Sequence, residues 1–198
     1  MPSDDTATDE TLAQLYDLLA GVLADPPDEQ LIETLAEGPL PDPGIAPNDQ
    51  LASGLEALAD WAETVSDPTA EAERLSAEFT RLFVGPRPVL QVHESWYADD
   101  YLGEPLAAVT ETMKELGIAP APDLKEEADH VAVELAALRE LTTESEARTR
   151  TFLQEHGDWF DDLAADIQEH TEEPFYEAIA DITAGLVAFD ASRTGVGQ

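Results

Sequence analysis

The sequence predicts an all-α protein, a single helical domain of about nine helices. Apolar residues recur at spacings of three and four along most of the 198-residue chain, which places them on one face of each helix. No segment alternates apolar and polar residues as a half-buried strand does. This length suits one well-filled core, so we expect one domain over residues 1–198, with mobile tails at 1–8 and 191–198.

The predicted helices of the N-terminal half lie between clear start and stop signals. They cover residues 9–24, 28–37, 49–65 and 68–83. Pro26-Pro27 ends the first helix, and the side chains of Asn48 and Asp67 suit the N-caps of the third and fourth. The fourth helix runs into Gly85-Pro86, a bend that cannot continue a helix.

The C-terminal half is predicted to be helical on both sides of a proline-rich connector. Its helices begin near residues 94, 105, 129, 148, 159 and 174. Ile118 to Asp123, with the sequence IAPAPD, is typical of a stiff extended segment and is the best candidate for a hinge. The last helix is expected to fray from Asp190 onward.

Acidic residues dominate the charge, because 44 Asp and Glu stand against 9 Lys and Arg and give a formal net charge of -35. Disorder is not expected, since 43% of residues are hydrophobic and follow helical spacing. The acidic residues occur on every predicted helix and on no preferred face. This distribution favours a halophilic adaptation, because excess carboxylates keep a protein solvated in high salt. A basic partner would also suit this surface, whereas nucleic-acid phosphates would not.

The chain has no cysteine, which excludes disulfides, thiolate metal sites and cysteine nucleophiles. The N-terminus MPSDDTATDE lacks the basic and apolar regions of a secretion signal. No stretch approaches the ~20 apolar residues of a membrane span. We therefore expect a soluble, cytoplasmic protein without stable membrane insertion.

No motif supports catalysis, a cofactor or a metal site. A zinc-protease signature would need a second histidine one turn after His93, where Tyr97 stands. Glu127 and His130 have the Glu-x-x-His spacing of di-iron sites, but no other histidine has a glutamate three residues earlier. Neither a Gly-x-Ser-x-Gly motif nor a glycine-rich phosphate loop is present. We predict no catalytic residue, no metal ligand and no cofactor.

The aromatic residues after the bend are candidates for a binding surface. Trp96, Tyr97 and Tyr101 are too close in sequence for all three to point inward from one helix. At least one should therefore face a groove or a partner. Asp129 and His130 stand at a helix start, where capping by Asp129 and a functional role explain the pair equally well.

Five motifs occur in a characteristic order: LFVGP at 82–86, ESWY at 94–97, EADHVAVEL at 127–135, FLQEHGDWF at 152–160 and PFYEAIADI at 174–182. Together they closely resemble the TorD/DmsD/NarJ family of redox-enzyme maturation chaperones, from about Leu12 to Phe189. The chain departs from the family before Glu94, where prolines and an aromatic residue are usual and Gln91-Val92-His93 stands instead. The wall of a binding groove is expected to differ there.

The resemblance implies a non-catalytic cytoplasmic chaperone, either a monomer or a homodimer swapped across the hinge. Such proteins bind the twin-arginine leader, or an N-terminal segment, of a molybdenum-cofactor oxidoreductase of the DMSO, TMAO or nitrate reductase type. They hold this client back from export until its cofactor is inserted. Carried over by motif, the peptide-contact positions are Phe79, Leu82, Phe83, Tyr97, Gly103, Asp129 and His130. Some members of the family bind guanine nucleotides weakly, but no phosphate loop supports that here.

Our hypothesis is that Asp129 supplies the anion for a leader arginine, while an apolar wall takes the rest of the leader. That wall would consist of Phe79, Leu82, Phe83 and Tyr97. It requires the stretches at 77–101 and 126–141 to meet in one cleft. Two other functions stay open: an acidic partner-binding scaffold that binds no leader, and, with less support, a metal-dependent helical enzyme using Glu127 and His130.

Overall fold

The computed structural model describes residues 4–84, 87–98, 103–119 and 126–196. The Gly85-Pro86 bend, Tyr101 and most of the expected hinge at 118–123 lie outside these ranges. The chain divides into two compact units. Unit 1 is formed by Met1–Ala24, Val92–Trp159 and Val187–Gln198, and unit 2 by Asp25–Gln91 and Phe160–Leu186. The expectation of a single domain stays a prediction.

Ten α-helices occur in the described ranges, and the all-α class is confirmed. They are α1 (Asp4–Ala24), α2 (Glu29–Glu37), α3 (Asp49–Thr64), α4 (Pro68–Phe79), α5 (Glu94–Tyr97), α6 (Glu104–Glu115), α7 (Val131–Glu144), α8 (Glu146–His156), α9 (Trp159–His170) and α10 (Pro174–Thr194). A 3₁₀ turn at Pro43–Ile45 precedes α3, and a π-helical turn at Thr80–Val84 follows α4. None of the described helices is both long and apolar enough to cross a bilayer.

The predicted N-caps form as expected. Asn48 Oδ1 accepts a hydrogen bond from the Leu51 amide at 2.8 Å, at the start of α3. Asp67 Oδ1 accepts one from the Ala70 amide at 3.1 Å, at the start of α4. Each bond satisfies an amide that has no partner within its helix. These helix starts are therefore set by local sequence.

Both ends of the chain are more helical than the sequence suggested. α1 begins at Asp4, before the expected start at residue 9. α10 continues through Thr194, so the fraying expected from Asp190 is wrong. Asp190 is fully buried, and its carboxylate pairs with Arg193 at 2.6 Å. A carboxylate held inside unit 1 by an arginine one turn later keeps this end of the helix in place.

Unit 1 is built around α7, which packs along α1. The larger apolar side chains of α7 that have no exposed area are Val131, Leu135, Leu138 and Leu141. Tyr16 on α1 donates a hydrogen bond from its hydroxyl to Asp190 Oδ2 at 3.2 Å. Burial, and then the negative charge of Asp190, raise the pKa of Tyr16 well above its usual range. The phenol therefore stays protonated and remains a donor.

In unit 2, α3 and the first part of α10 approach each other through glycine. A Cβ atom on Gly185 would lie 2.4 Å from the Leu51 amide nitrogen, and one on Gly54 would lie 2.7 Å from that of Ile182. Asn48 Nδ2 also donates a hydrogen bond to the Gly185 carbonyl at 2.8 Å. Only glycine permits two helix backbones to come this close.

Candidate functional site

Two segments of unit 1 pair before α5 and before α7, and we call residues 92–94 and 129–131 the bridge. The Glu94 amide donates to the Asp129 carbonyl at 2.9 Å, and the Val131 amide donates to the Val92 carbonyl at 2.8 Å. His93 and His130 form an isolated antiparallel β-bridge, with ring centroids 5.1 Å apart. The bridge therefore places the start of the short aromatic helix α5 directly beside the Asp-His motif.

Asp129 and His130 have separate roles within the bridge. His130 is the N-cap of α7, because its Nδ1 accepts a hydrogen bond from the Ala132 amide at 3.2 Å. Burial, followed by the electrostatic effect of the neighbouring His93, lowers the pKa of His130 to about 4, so the ring is neutral and able to accept. The explanation that Asp129 caps the helix is wrong. Its side chain is only 2% exposed, and Oδ1 lies 3.2 Å from His93 Nδ1.

A buried polar cluster holds α5 in place. His156 Nδ1 lies 3.0 Å from a Glu94 carboxylate oxygen, and His156 Nε2 lies 3.0 Å from Thr112 Oγ1. The Thr112 hydroxyl donates to Glu155 Oε2 at 2.7 Å. Because α5 has only four residues, its own hydrogen bonds cannot make it stable. Its position therefore depends on Glu94 being tied to α6 and α8.

A second contact set links the other end of α5 to α7. The Tyr97 ring packs on Trp159, with centroids 5.5 Å apart and planes inclined by 34°. Trp159 Nε1 donates to Glu134 Oε2 at 3.0 Å. Glu134 is fully buried, and burial together with the charge of Glu94 raises the pKa of Glu134 well above its usual range. The interior of unit 1 thus favours the neutral form of this carboxyl group.

These contacts explain why three of the five motifs occur together in unit 1. ESWY supplies Glu94 and Tyr97, EADHVAVEL supplies Glu134, and FLQEHGDWF supplies His156 and Trp159. Sequence reasoning did not assign a role to Glu94, Glu134 or His156. Glu94 and His156 are 62 positions apart, so no local spacing could connect them. The only sequence signal for these residues was that they lie in motifs that occur together.

The proposed apolar contacts before the bend lie in unit 2 and are buried there. Phe79, Leu82 and Phe83 are 3%, 0% and 7% exposed. The Phe83 ring packs against Phe79 at 5.1 Å and against Tyr176 at 5.8 Å between centroids. The LFVGP and PFYEAIADI motifs therefore meet in unit 2 through Phe83 and Tyr176. In this arrangement the three residues belong to the core of unit 2.

The remaining proposed contact residues lie in unit 1. Asp129 and His130 share the bridge, and Tyr97 is half-buried on Trp159. Gly103 is the N-cap of α6, with a left-handed φ of 85° that favours glycine. Trp96 is 49% exposed, which agrees with the expectation that an aromatic of this stretch faces outward. That all seven residues line one cleft stays a prediction.

A comparison with known protein families decides the classification. The sequence profile of the nitrate reductase delta subunit family matches residues 48–179. The chain belongs to this family. The chaperone protein TorD of Shewanella pealeana is 28% identical over 201 residues, covering 92% of this chain and 89% of that protein. TorD of Vibrio parahaemolyticus is 24% identical over 213 residues, covering 94% and 95%.

The fold also has a solved counterpart. A crystal structure of a protein from Archaeoglobus fulgidus, described as a redox enzyme maturation protein, superposes with a TM-score of 0.56. The two chains are 20% identical, and the match covers 86% of this chain and 91% of that one. The resemblance to the TorD/DmsD/NarJ family is therefore confirmed. Both curated relatives are named as chaperones and neither name describes a catalyst, in line with the prediction of a non-catalytic protein.

Proposed function

We propose that this protein binds the N-terminal leader of a molybdenum-cofactor oxidoreductase and holds it until the cofactor has been inserted. Family membership and the relatives named TorD support a chaperone role. The observation that carries the leader-binding part is the bridge, which holds the carboxylate of Asp129 beside the start of α5, where Trp96 is half exposed. A twin-arginine leader is basic and then apolar, so it needs an anion close to aromatic surface.

The arginine of the leader would exchange places with His93. In the free chain His93 is the side-chain partner of Asp129, and it is 29% exposed, so its ring has room to turn toward solvent. A guanidinium group offers two parallel donors to a carboxylate, whereas an imidazole offers one. It also carries a permanent charge, which compensates a buried carboxylate at any physiological pH.

The apolar part of the leader would lie against aromatic side chains. Trp96 and Tyr97 offer exposed and half-exposed rings on α5. Among the described residues, a Cβ atom on Gly103 would meet no atom within 4 Å, so these residues leave space there for a ligand. Phe79, Leu82 and Phe83 remain proposed contacts, but their burial requires a local opening of unit 2. The π-helical turn at 80–84 is a candidate for that opening, since such turns often mark functional sites.

Isothermal titration calorimetry with a synthetic twin-arginine leader tests the arginine step. The assay belongs in molar salt, where the Debye length is roughly 3 Å and long-range attraction to the acidic surface is screened. Asp129→Asn should weaken binding about tenfold or more, because a charge-assisted hydrogen bond contributes about 1.5–3 kcal/mol. His93→Gln should leave the affinity unchanged or raise it, because it removes a competitor for Asp129.

Asp17→Asn is the matched control, because it removes the same charge from a side chain that is 66% exposed. Equal affinities of wild type, Asp129→Asn and Asp17→Asn would contradict the assignment of this site. Co-purification in molar salt, followed by sequencing of the bound polypeptide, identifies the client independently of any single residue. If no oxidoreductase is captured, and deletion of the protein leaves molybdoenzyme activity intact, the acidic scaffold is the better explanation.

A further inference from the structure

We propose that His93, Glu127 and Asp129 form a binding site for a divalent transition-metal ion such as Zn²⁺. One ligand atom from each residue lies within 4.8 Å of the others. Bonds from zinc to imidazole nitrogen or carboxylate oxygen are about 2.0–2.2 Å long, so two ligands of one ion lie at most about 4.4 Å apart. The exposed side chain of Glu127 can rotate to bring its carboxylate into that range. The set differs from the Glu127 and His130 pair that sequence spacing suggested, because His130 Nδ1 already accepts the Ala132 amide.

The backbone of the bridge holds two of the three ligands, His93 and Asp129, together before any ion arrives, and the Glu127 carbonyl accepts a hydrogen bond from the His130 amide at 3.0 Å. His93 lies in one paired segment, and Asp129 lies in the other. The hydrogen bonds from Glu94 to Asp129 and from Val131 to Val92 flank this pair on both sides. Ligands fixed by backbone pairing lose little further conformational freedom when they bind an ion. The arrangement is therefore more than a chance grouping of surface acids.

The carboxylate of Asp129 gives an independent reason to expect a cation. Its side chain is only 2% exposed, and among the described residues no lysine or arginine pairs with it. The one hydrogen-bond partner of its side chain in those ranges is His93, which belongs to the same set. An imidazole compensates a buried carboxylate only when it is protonated, whereas a bound divalent ion would compensate it at any pH at which the ligands are free to bind.

The ligand types favour a transition metal over Mg²⁺ or Ca²⁺. An imidazole nitrogen suits Zn²⁺, Fe²⁺ or Ni²⁺, whereas Mg²⁺ and Ca²⁺ prefer oxygen ligands throughout. Glu127 is exposed and His93 is partly exposed, so an ion can enter from solvent. Three protein ligands leave at least one coordination position of zinc for water.

The proposed leader site also uses Asp129. The competition between zinc and leader described next therefore rests on the proposed function. One carboxylate cannot bind a metal ion and a leader arginine in the same way at once. Zinc should therefore weaken leader binding, and the leader should weaken zinc binding by the same factor. Zinc binding is measured without leader, and leader binding is measured in chelator-treated protein. The zinc site and the leader site are therefore tested by separate measurements, and either proposal can fail without the other.

The test is a calorimetric titration of untagged protein with Zn²⁺ in molar NaCl and a large excess of Mg²⁺, which occupies non-specific carboxylates. We expect one zinc ion per chain. His93→Gln and Glu127→Gln should each lower the affinity at least about tenfold. His170→Gln and Glu126→Gln, which change an exposed histidine and the neighbouring exposed glutamate, should not. Circular dichroism confirms that each variant is folded.

Nuclear magnetic resonance of the imidazole groups supplies a second readout that does not depend on affinity. Substoichiometric zinc should shift or broaden the His93 signals first and leave those of His170 in place. Absence of stoichiometric binding would overturn the proposal and leave the His93 and Asp129 contact as a structural pair. Equal affinity in wild type and His93→Gln, or first perturbation at His170, would overturn it as well.

Discussion

Replacement of His156 by alanine should destabilise the protein and weaken leader binding together. His156 is 3% exposed, and its two ring nitrogens face Glu94 and Thr112 at 3.0 Å each. The substitution leaves the Glu94 carboxylate, which is only 14% exposed, without its histidine. It also removes the side-chain contact that connects Glu94 of the four-residue helix α5 to α8. Stability and binding should therefore change in the same variant.

The magnitude follows from the bonds that are lost. A hydrogen bond to a charged group contributes about 1.5–3 kcal/mol and a neutral one about 0.5–1.5 kcal/mol. Partial exposure lets water replace some of the first bond, so we expect a loss of about 2–4 kcal/mol in the free energy of unfolding. In a chain of this size each kcal/mol lowers Tm by about 2–4 °C, which corresponds to about 4–16 °C.

Thermal unfolding followed by circular dichroism measures the stability, and calorimetry with the leader measures binding. His156→Gln keeps one donor and should lose roughly half as much stability. His170→Ala removes an exposed imidazole, so we expect the Tm of the wild type. A His156→Ala protein with unchanged Tm would refute the role of this cluster in stability. Normal leader affinity in a destabilised variant would refute its role in positioning α5.

Four further substitutions test separate parts of the structure. Because the pKa of Glu134 is raised, the folded chain keeps a proton on this carboxyl group that the unfolded chain releases above about pH 4.5. The free energy of unfolding should therefore fall as the pH rises above that value. Glu134→Gln should make the free energy of unfolding less dependent on pH in this range. In denaturant titrations, Gly185→Ala should lower the free energy of unfolding by about 1–3 kcal/mol, because the added Cβ atom clashes with α3. Gly21→Ala should raise it by about 0.5–1 kcal/mol, because a Cβ atom there meets no atom of the described residues within 4 Å. Trp96→Ala should leave Tm nearly unchanged but weaken leader binding, and a loss of stability without a loss of affinity would contradict its assignment to the binding surface.

Sequence reasoning located the helices because their signals are local. Asn48 and Asp67 cap the helices they precede, and each bond spans three residues. The same reasoning placed the helix start near Asp129 but did not identify its cap. His130 can accept the capping hydrogen bond because burial in the fold lowers its pKa and keeps the ring neutral. No local sequence pattern encodes that burial.

The polar interior of unit 1 was beyond local pattern recognition. Glu134 lies among apolar residues on a helix that is buried on nearly every side. A glutamate is usually exposed to solvent, whereas in the structure its carboxyl group accepts a hydrogen bond from Trp159. Glu94 and His156 likewise meet only through the fold. The family motifs contain all of these residues, which shows that the motifs encode the internal support of α5 as well as any contact surface.

The most direct test of leader binding at the bridge is a photo-crosslinking map. A leader peptide with a photoreactive residue beside its arginine pair is bound in molar salt, irradiated and located by mass spectrometry. We predict crosslinks within residues 92–97 and 127–130, and their loss in Asp129→Asn. Crosslinks confined to other helices, or equally strong in that variant, would contradict the account.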